Sequence, residues 1–107
     1  MIRFVEVVNE TDFNSRMERV AIPRYSIGEV WINEKYVVNI RQATGYKKML
    51  LDGRMPDGLD TQHEFTAVTT NEGNTTQIHV VLGSVNEVAL RLESAARKDS
   101  KYGLLKG

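Results

Sequence analysis

The sequence of 107 residues contains no cysteine, only two prolines and a single tryptophan. The lack of cysteine excludes disulfide bonds, thiolate metal ligands and cysteine nucleophiles. No apolar run reaches the roughly 18 residues that a transmembrane helix needs, and the first residues lack the apolar segment of a signal peptide. The sequence therefore predicts a cytoplasmic protein that has no contact with a membrane.

Net charge is also lacking, because 14 lysines and arginines balance 14 aspartates and glutamates. Domains that bind the phosphate backbone are usually basic, so this balance argues against nucleic acid as the main partner. A net charge of zero also favours self-association. Residues 55–90 contain no lysine or arginine. Either a hairpin rich in threonine and asparagine needs little charge, or the surface is dipolar and orients a partner or a second copy.

The length predicts one domain over residues 1–100, followed by a C-terminal tail over 101–107. Such a chain can fold without a metal or a disulfide. Runs of β-branched residues predict strands over 2–8, 27–32, 37–41, 65–70 and 75–82, with a turn at 71–74. The predicted fold class is α+β: an antiparallel sheet of about five strands, partly rolled, with a C-terminal helix packed on one face.

The clearest helix signal follows the last predicted strand. Ser84 and Glu87 have the spacing of a capping box, in which the serine hydroxyl accepts a hydrogen bond from the backbone amide three residues later. An apolar stripe at helical spacing follows, formed by Val85, Val88, Ala89, Leu92, Ala95 and Ala96. This pattern predicts a helix from Val85 to about Lys98.

Two segments allow more than one interpretation. In the first, Thr11 is a candidate N-cap, and apolar residues recur at helical spacing until Pro23. That pattern predicts a short helix, with a brief strand over 19–22 as the alternative. The second segment, residues 42–63, is a loop, a short helix over 46–51 or a long hairpin arm.

Candidate metal ligands fall in the second segment. They are Asp52, Asp57, Asp60, His63 and Glu64. Carboxylates suit hard cations, and a histidine widens the choice of metal. The spacing matches no calcium loop, however, and aspartate also initiates turns. We therefore predict a polar loop with no metal and no cofactor.

The sequence also lacks a catalytic constellation. His79 lies within the last predicted strand, and His63 is the only other histidine with which it could form an acid–base pair. If Ile78 and Val80 face the core, His79 faces the opposite side together with Val81. The chain has no nucleophile elbow and no phosphate-binding glycine loop. We predict that the protein is not an enzyme and has no catalytic residues.

Trp31 is either an interface anchor, if its strand is at the edge of the sheet, or a core residue, if its strand is central. The core interpretation is favoured. Apolar residues in the tail, beyond an already complete helix, suggest a dimer contact. The candidate protein-binding residues are Trp31, Tyr46, Tyr102, Leu104 and Leu105, with Lys47 and Lys48 beside them. The predicted function is that of a non-enzymatic accessory or regulatory protein, which binds an unidentified protein partner and self-associates as a homodimer.

The alternative is a small module that binds single-stranded nucleic acid. It would use one aromatic residue within a local basic segment: Arg41, Tyr46, Lys47, Lys48 and Arg54. Bases stack on aromatic rings in such sites, and cations contact the phosphates. One aromatic residue and four cations on a neutral protein make this the less favoured prediction.

Three segments together resemble the small FlbD-like proteins. They are Val30-Trp-Ile-Asn33 with Tyr36-Val-Val-Asn-Ile40, a threonine-rich hairpin, and Gly83-Ser-Val-Asn-Glu-Val88. The likeness covers roughly residues 28–93, and the N-terminal extension and residues 42–63 depart from it. It implies a compact antiparallel sheet with one helix, in a family of accessory proteins that lack a known active site. Small phage-encoded proteins have a similar compact form.

Overall fold

The computed structural model describes residues 1–9, 25–55 and 58–106, with side chains as far as Lys98. The predictions for residues 11–23 lie outside the described residues. A 3-10 helix, Glu34–Tyr36, separates the second and third strands. The elements are strands β1 (Ile2–Asn9), β2 (Tyr25–Ile32), β3 (Val37–Gln42), β4 (Phe65–Glu72) and β5 (Thr75–Leu82), and helices α1 (Thr44–Leu51) and α2 (Val85–Lys106).

The five strands form one open antiparallel sheet in the order β2-β1-β5-β4-β3. The predicted α+β class, with its antiparallel sheet and C-terminal helix, is therefore confirmed. Strands β2 and β3 are the two edges of the sheet, although they are consecutive in the chain. Strand β1 pairs with β2 over its whole length, from Ile2 opposite Ile32 to Asn9 opposite Tyr25.

The short connection between the two edges shows why the sheet is rolled. Five peptide steps from Ile32 to Val37 reach at most about 18 Å. Four strand spacings in a flat sheet measure about 19 Å, and the 3-10 helix shortens the reach further. The sheet must therefore curve to bring β2 near β3. Asn33 caps the 3-10 helix, since its side chain accepts a hydrogen bond of 3.0 Å from the Lys35 amide.

Helix α2 covers one face of the sheet. The buried cluster beneath it draws on both halves of the sheet and consists of Phe4, Ile32, Val68, Val81 and Val88. Ile32 from one edge belongs to this cluster and Ile40 from the other edge packs against it, so the cluster extends across the whole sheet. Burial of these side chains is the main stabilising contribution to folding.

The N-terminus of α2 forms as predicted. The Ser84 hydroxyl accepts a hydrogen bond of 3.1 Å from the Glu87 amide, and Val88 is 1% exposed. The C-terminus differs, because the helix continues to Lys106 through the segment predicted as a tail. Residues 99–102 contain neither glycine nor proline, so nothing local stops the helix at Lys98. Ala96, predicted in the apolar stripe, is exposed.

A second cluster lies on the opposite face, under α1. Val7, Leu50 and Phe65 are buried there, with Val80 and Leu82 packed against them. The short-helix interpretation of residues 42–63 is thus confirmed, with the helix beginning two residues earlier. Helix α1 is amphipathic, and Leu50 is its buried residue.

Both faces of β5 are therefore packed. Val81 is fully buried under α2, whereas Val80 and Leu82 contact the α1 cluster. Ile78, considered as a core residue from the sequence, is 66% exposed because α1 does not reach it.

The β4–β5 hairpin turns over fewer residues than predicted. Asn71 and Glu72 lie within β4, and Glu72 pairs with Thr75. The turn is Gly73-Asn74. Gly73 has φ +63° and Asn74 has a negative φ, as a type II′ turn requires.

Candidate protein-binding surface at strand β2

Trp31 lies on the edge strand β2 and is 59% exposed. The prediction that it belongs to the core is wrong. Side chains alternate along a strand, and the neighbouring Ile32 takes the core position at 2% exposure. Trp31 therefore points to the outer face, where α1 covers Tyr25 at the other end of the strand.

The outer face of β2 has an exposed apolar residue on each side of an ion pair. Ile27 is 41% exposed and Trp31 is 59% exposed. Between them, Glu29 lies 3.4 Å from the Arg3 guanidinium of β1. We call Ile27, Glu29 and Trp31 the β2 strip.

The backbone of β2 has one free side within the described part of the chain. Strand β1 is its only sheet neighbour among the described strands. An edge strand presents a row of N–H and C=O groups that another strand can pair with. Soluble proteins usually protect such an edge with charges or prolines. The β2 strip has a single charged residue, Glu29, between the exposed apolar residues Ile27 and Trp31.

A pocket of about 250 Å³ opens beside Trp31. It lies between the end of β2, the 3-10 helix and the distal part of the β4–β5 hairpin. The residues that line it include Trp31, Tyr36, Asn33, Thr70, Glu72 and Gln77. Tyr36 is 40% exposed. We call this cavity the Trp31 pocket.

The two histidines have different partners. His79 also lines the Trp31 pocket, and its Nδ1 lies 3.4 Å from the Glu6 carboxylate. His63 Nδ1 accepts a hydrogen bond of 2.8 Å from the Asp60 amide, in the loop before β4. His79 therefore lies beside a carboxylate and His63 accepts from a backbone amide, and the two histidines do not form a pair.

The candidate metal ligands are not assembled in the described residues. There, no group of three or more histidine, aspartate or glutamate side chains is positioned to hold an ion. Asp60 instead organises a turn, since its side chain also accepts a hydrogen bond of 2.9 Å from the Gln62 amide. Asp57 lies outside the described residues.

The basic segment is only partly available to a ligand. Arg41, Lys48 and Arg54 are exposed. The Lys47 ammonium, however, donates a hydrogen bond of 2.9 Å to the His63 carbonyl and another to the Thr61 carbonyl. This lysine holds the loop before β4 against α1.

Tyr46, shared by both candidate sites, is half-buried. Its ring lies 6.0 Å from Tyr25, edge to face, and 6.1 Å from Phe65. Burial of the phenol raises the pKa of Tyr46, and the neighbouring Tyr25 raises it further. The ring therefore supports the cluster under α1, and little of it remains for a stacked base.

The remaining candidate protein-binding residues lie near the end of α2. The backbone at Tyr102, Leu104 and Leu105 is helical, and the side chains of these residues lie outside the described part. Among the described residues, no helix has the length and apolarity to cross a bilayer.

Ile27 and Tyr36 were not among the candidate residues predicted from the sequence. Both belong to ordinary strand or turn patterns, and only the order of the strands shows that they lie at an exposed edge. Comparisons with protein-family models, with curated proteins and with solved structures each gave no match. The FlbD-like resemblance thus remains a prediction.

Proposed function

We propose that this is a cytoplasmic, non-enzymatic accessory or regulatory protein that acts by binding proteins, and that it self-associates through β2. The observation that carries the proposal is the exposure of Trp31 and Ile27 on an edge strand. Aromatic residues exposed at such positions are typical anchors of protein interfaces. The net charge of zero supports association, because the two copies do not repel each other strongly.

A second copy fits the β2 strip by antiparallel strand pairing. A twofold axis at Glu29 would place Trp31 of one copy opposite Ile27 of the other, and would repeat that contact by symmetry. An aromatic residue opposite a β-branched residue is a favourable cross-strand pair, worth about 0.2–1 kcal/mol. The two Glu29 carboxylates would meet at the axis, where Arg3 of each copy, 3.4 Å from its own Glu29, offsets their repulsion.

The test is the molar mass by light scattering over a concentration series. The full-length chain should shift from monomer to dimer as the concentration rises. Ile27→Lys puts a charge on the edge, so it should displace this shift to higher concentration. Ile78→Lys is the matched control, because Ile78 is more exposed but lies on a central strand. A monomer at every concentration, or an equal effect of both variants, would contradict the proposal.

Binding of single-stranded nucleic acid is the alternative function, and it has less support. Of its five residues, Tyr46 packs under α1 and Lys47 holds a loop. The three exposed cations, Arg41, Lys48 and Arg54, remain without a neighbouring exposed ring from that set.

A further inference from the structure

Another cavity, of about 600 Å³, lies between the start of β1, the 3-10 helix and one flank of α2. Typical small-molecule sites bury most of the surface of their ligand. Here Leu90 is 63% exposed, and Arg91 and Lys98 are exposed as well, so the cavity is an open cleft that suits a segment of another chain. We call it the α2 cleft. The residues that line it include Ile2, Glu34, Leu90, Arg91, Ala95 and Lys98.

Two cations lie on the flank of α2 that faces this cleft. Arg91 and Lys98 are about two helical turns apart, so they share one side of the helix and lie about 10 Å apart along its axis. Neither forms an ion pair with a described residue. Arg3 also lines the cleft, but strand alternation puts its guanidinium on the outer face, beside Glu29, so it is not one of the cations of the cleft.

The Arg91 guanidinium is held in place before any ligand binds. It lies over the Phe4 ring, and among the described residues the Arg3 carbonyl is its only hydrogen-bond acceptor. Because a guanidinium has five N–H donors, several remain for a ligand. A guanidinium can bind a carboxylate through two parallel hydrogen bonds, and binding costs less entropy when the side chain is already ordered.

The acidic residue of the cleft is shielded from a ligand. The Glu34 side chain is 4% exposed, and its carboxylate lies 3.4 Å from the Met1 ammonium. The exposed charges of the cleft are therefore positive and favour an anion. Two cations on a neutral protein are few for a phosphate backbone, and Ile2, Leu90 and Ala95 add apolar surface. This combination favours a carboxylate that has an apolar side chain beside it.

We propose that the α2 cleft binds an acidic segment of the protein partner. An aspartate or glutamate carboxylate of that segment contacts Arg91 and Lys98, and a neighbouring apolar side chain contacts Leu90. This inference rests on the proposed protein-binding function and names the chemistry of the partner. The cleft lies on the face of the sheet that α2 covers, whereas the side chains of the β2 strip lie on the outer face, so the partner segment and a second copy occupy different surfaces.

The test is a titration followed by two-dimensional NMR of the isotope-labelled full-length chain. The protein is kept at a concentration at which light scattering shows a single species, and the ionic strength is constant. The probe is N-acetyl-leucyl-glutamic acid amide, whose side-chain carboxylate is its only charge. The matched neutral probe is N-acetyl-leucyl-glutamine amide, which has nearly the same shape. The glutamate probe should shift the amide signals of Arg91, Ala95 and Lys98 with saturation, and the glutamine probe should bind at least about threefold more weakly.

Two variants localise the binding. Lys98→Gln should weaken the glutamate probe about two- to fivefold, as expected for one exposed charge pair. Arg91→Lys should weaken it about two- to tenfold, because an ammonium keeps the charge but not the two parallel hydrogen bonds. Arg97→Gln is the control, since Arg97 is the neighbour of Lys98 but pairs with Glu93 and does not line the cleft. Circular dichroism verifies that each variant is folded. Because Lys98 is exposed, Lys98→Gln decides the matter if Arg91→Lys destabilises the fold.

The outcomes separate this inference from the proposed function. No saturable shift with the glutamate probe, equal binding of both probes, or equal effects of Lys98→Gln and Arg97→Gln would each overturn the assignment of the cleft. Inorganic phosphate should bind more weakly than the glutamate probe because it has no leucine side chain, and tighter binding of phosphate would also overturn the assignment, in favour of a free anion. Light scattering of the full-length chain and the Ile27→Lys variant tests self-association separately. A dimer that depends on Ile27, with no response to the glutamate probe, would leave the proposed function standing and remove only the site for an acidic segment.

Discussion

The guanidinium of Arg91 lies over the ring of Phe4, with its central carbon 4.3 Å from the ring centroid. The same guanidinium donates a hydrogen bond to the Arg3 carbonyl. Phe4 is 1% exposed and belongs to the main core. A charged side chain on α2 therefore covers a core residue of β1 and ties the helix to that strand.

Replacement of Arg91 should consequently destabilise the fold. A cation–π contact is worth about 0.5–2 kcal/mol, so Arg91→Ala should lower the free energy of unfolding by roughly that amount. Urea denaturation measures it. Arg97→Ala is the control, because Arg97 is 83% exposed and forms only a 3.8 Å ion pair with Glu93. That exposed pair should contribute at most about 0.5 kcal/mol. Equal losses would show that the Phe4 contact contributes nothing.

The packing of α2 can be tested with two apolar residues two positions apart. Val88 is 1% exposed in the main core, whereas Leu90 is 63% exposed on the same helix. Val88→Ala should cost about 2–3 kcal/mol, from the lost methyl groups and the cavity that remains. Leu90→Ala should change the stability by less than about 0.5 kcal/mol, although it removes more atoms. Urea melts that give the reverse order would contradict the packing of α2.

The strands and the start of α2 were predictable because local patterns determine them. The β-branched runs marked all five strands, and the Ser84 cap with its apolar stripe marked the helix. The sequence could not distinguish the two-residue type II′ turn at Gly73 from a longer turn, because the whole segment from Asn71 to Asn74 favours turns.

The position of Trp31 was not predictable for a different reason. Its exposure depends on the order of the strands, and this order follows from the pairing of β1 with β5 across more than 70 residues. Buried clusters on both faces of the sheet also hide the usual alternation of apolar and polar residues in β5. Val81 packs on one face, whereas Val80 and Leu82 pack on the other. The exposure of Trp31, and with it the location of the candidate site, therefore depends on pairing between strands that are far apart in the sequence.

The raised pKa of Tyr46 predicts a loss of stability at alkaline pH. The unfolded phenol titrates near its ordinary value of 10.0, and the folded phenol titrates higher because it is buried. Above that ordinary value the unfolded state releases a proton that the native state keeps. The stabilisation is therefore full below the unfolded pKa and is lost as the pH rises through the folded pKa.

Tyr46→Phe keeps the ring packing and removes this titration. Unfolding free energies of both proteins, measured by urea melts at about pH 9 and about pH 11, should show a smaller alkaline loss in the variant. The two proteins should differ little at the lower pH. An identical alkaline loss in both would show that Tyr46 is not the titrating group.

Binding of single-stranded nucleic acid should be weak or absent. Tyr46 is half-buried, and Lys47 already donates to two carbonyls. Fluorescence anisotropy with a labelled single-stranded oligonucleotide at low salt measures the binding. Affinity that falls steeply with salt, and that falls further with Lys48→Glu, would instead support the nucleic-acid alternative.

Lys47 and Lys48 differ in role, and their substitutions separate structure from binding. Lys47→Met should destabilise the protein by about 1 kcal/mol or more, because it removes the hydrogen bonds to the Thr61 and His63 carbonyls. Lys48→Met should be within about 0.5 kcal/mol of the parent, because Lys48 is exposed. Urea melts of the two variants decide this, and equal stabilities would show that Lys47 does not hold the loop.

The last turns of α2 contain the apolar residues that the sequence predicted as a dimer contact, and this prediction can be tested separately from the β2 strip. The helix continues through Lys106, beyond the segment that packs on the sheet at Val88 and Leu92. Truncation after Ser100 removes Tyr102, Leu104 and Leu105. If these residues contribute to the dimer, the truncated chain should dimerise only at higher concentration in light scattering, while its urea midpoint, measured at a concentration at which both chains are monomeric, stays unchanged. If they pack on their own sheet, the midpoint should fall and the association should not change. An unchanged mass together with an unchanged midpoint would remove the tail residues from the interface, and would leave the β2 strip as the proposed contact.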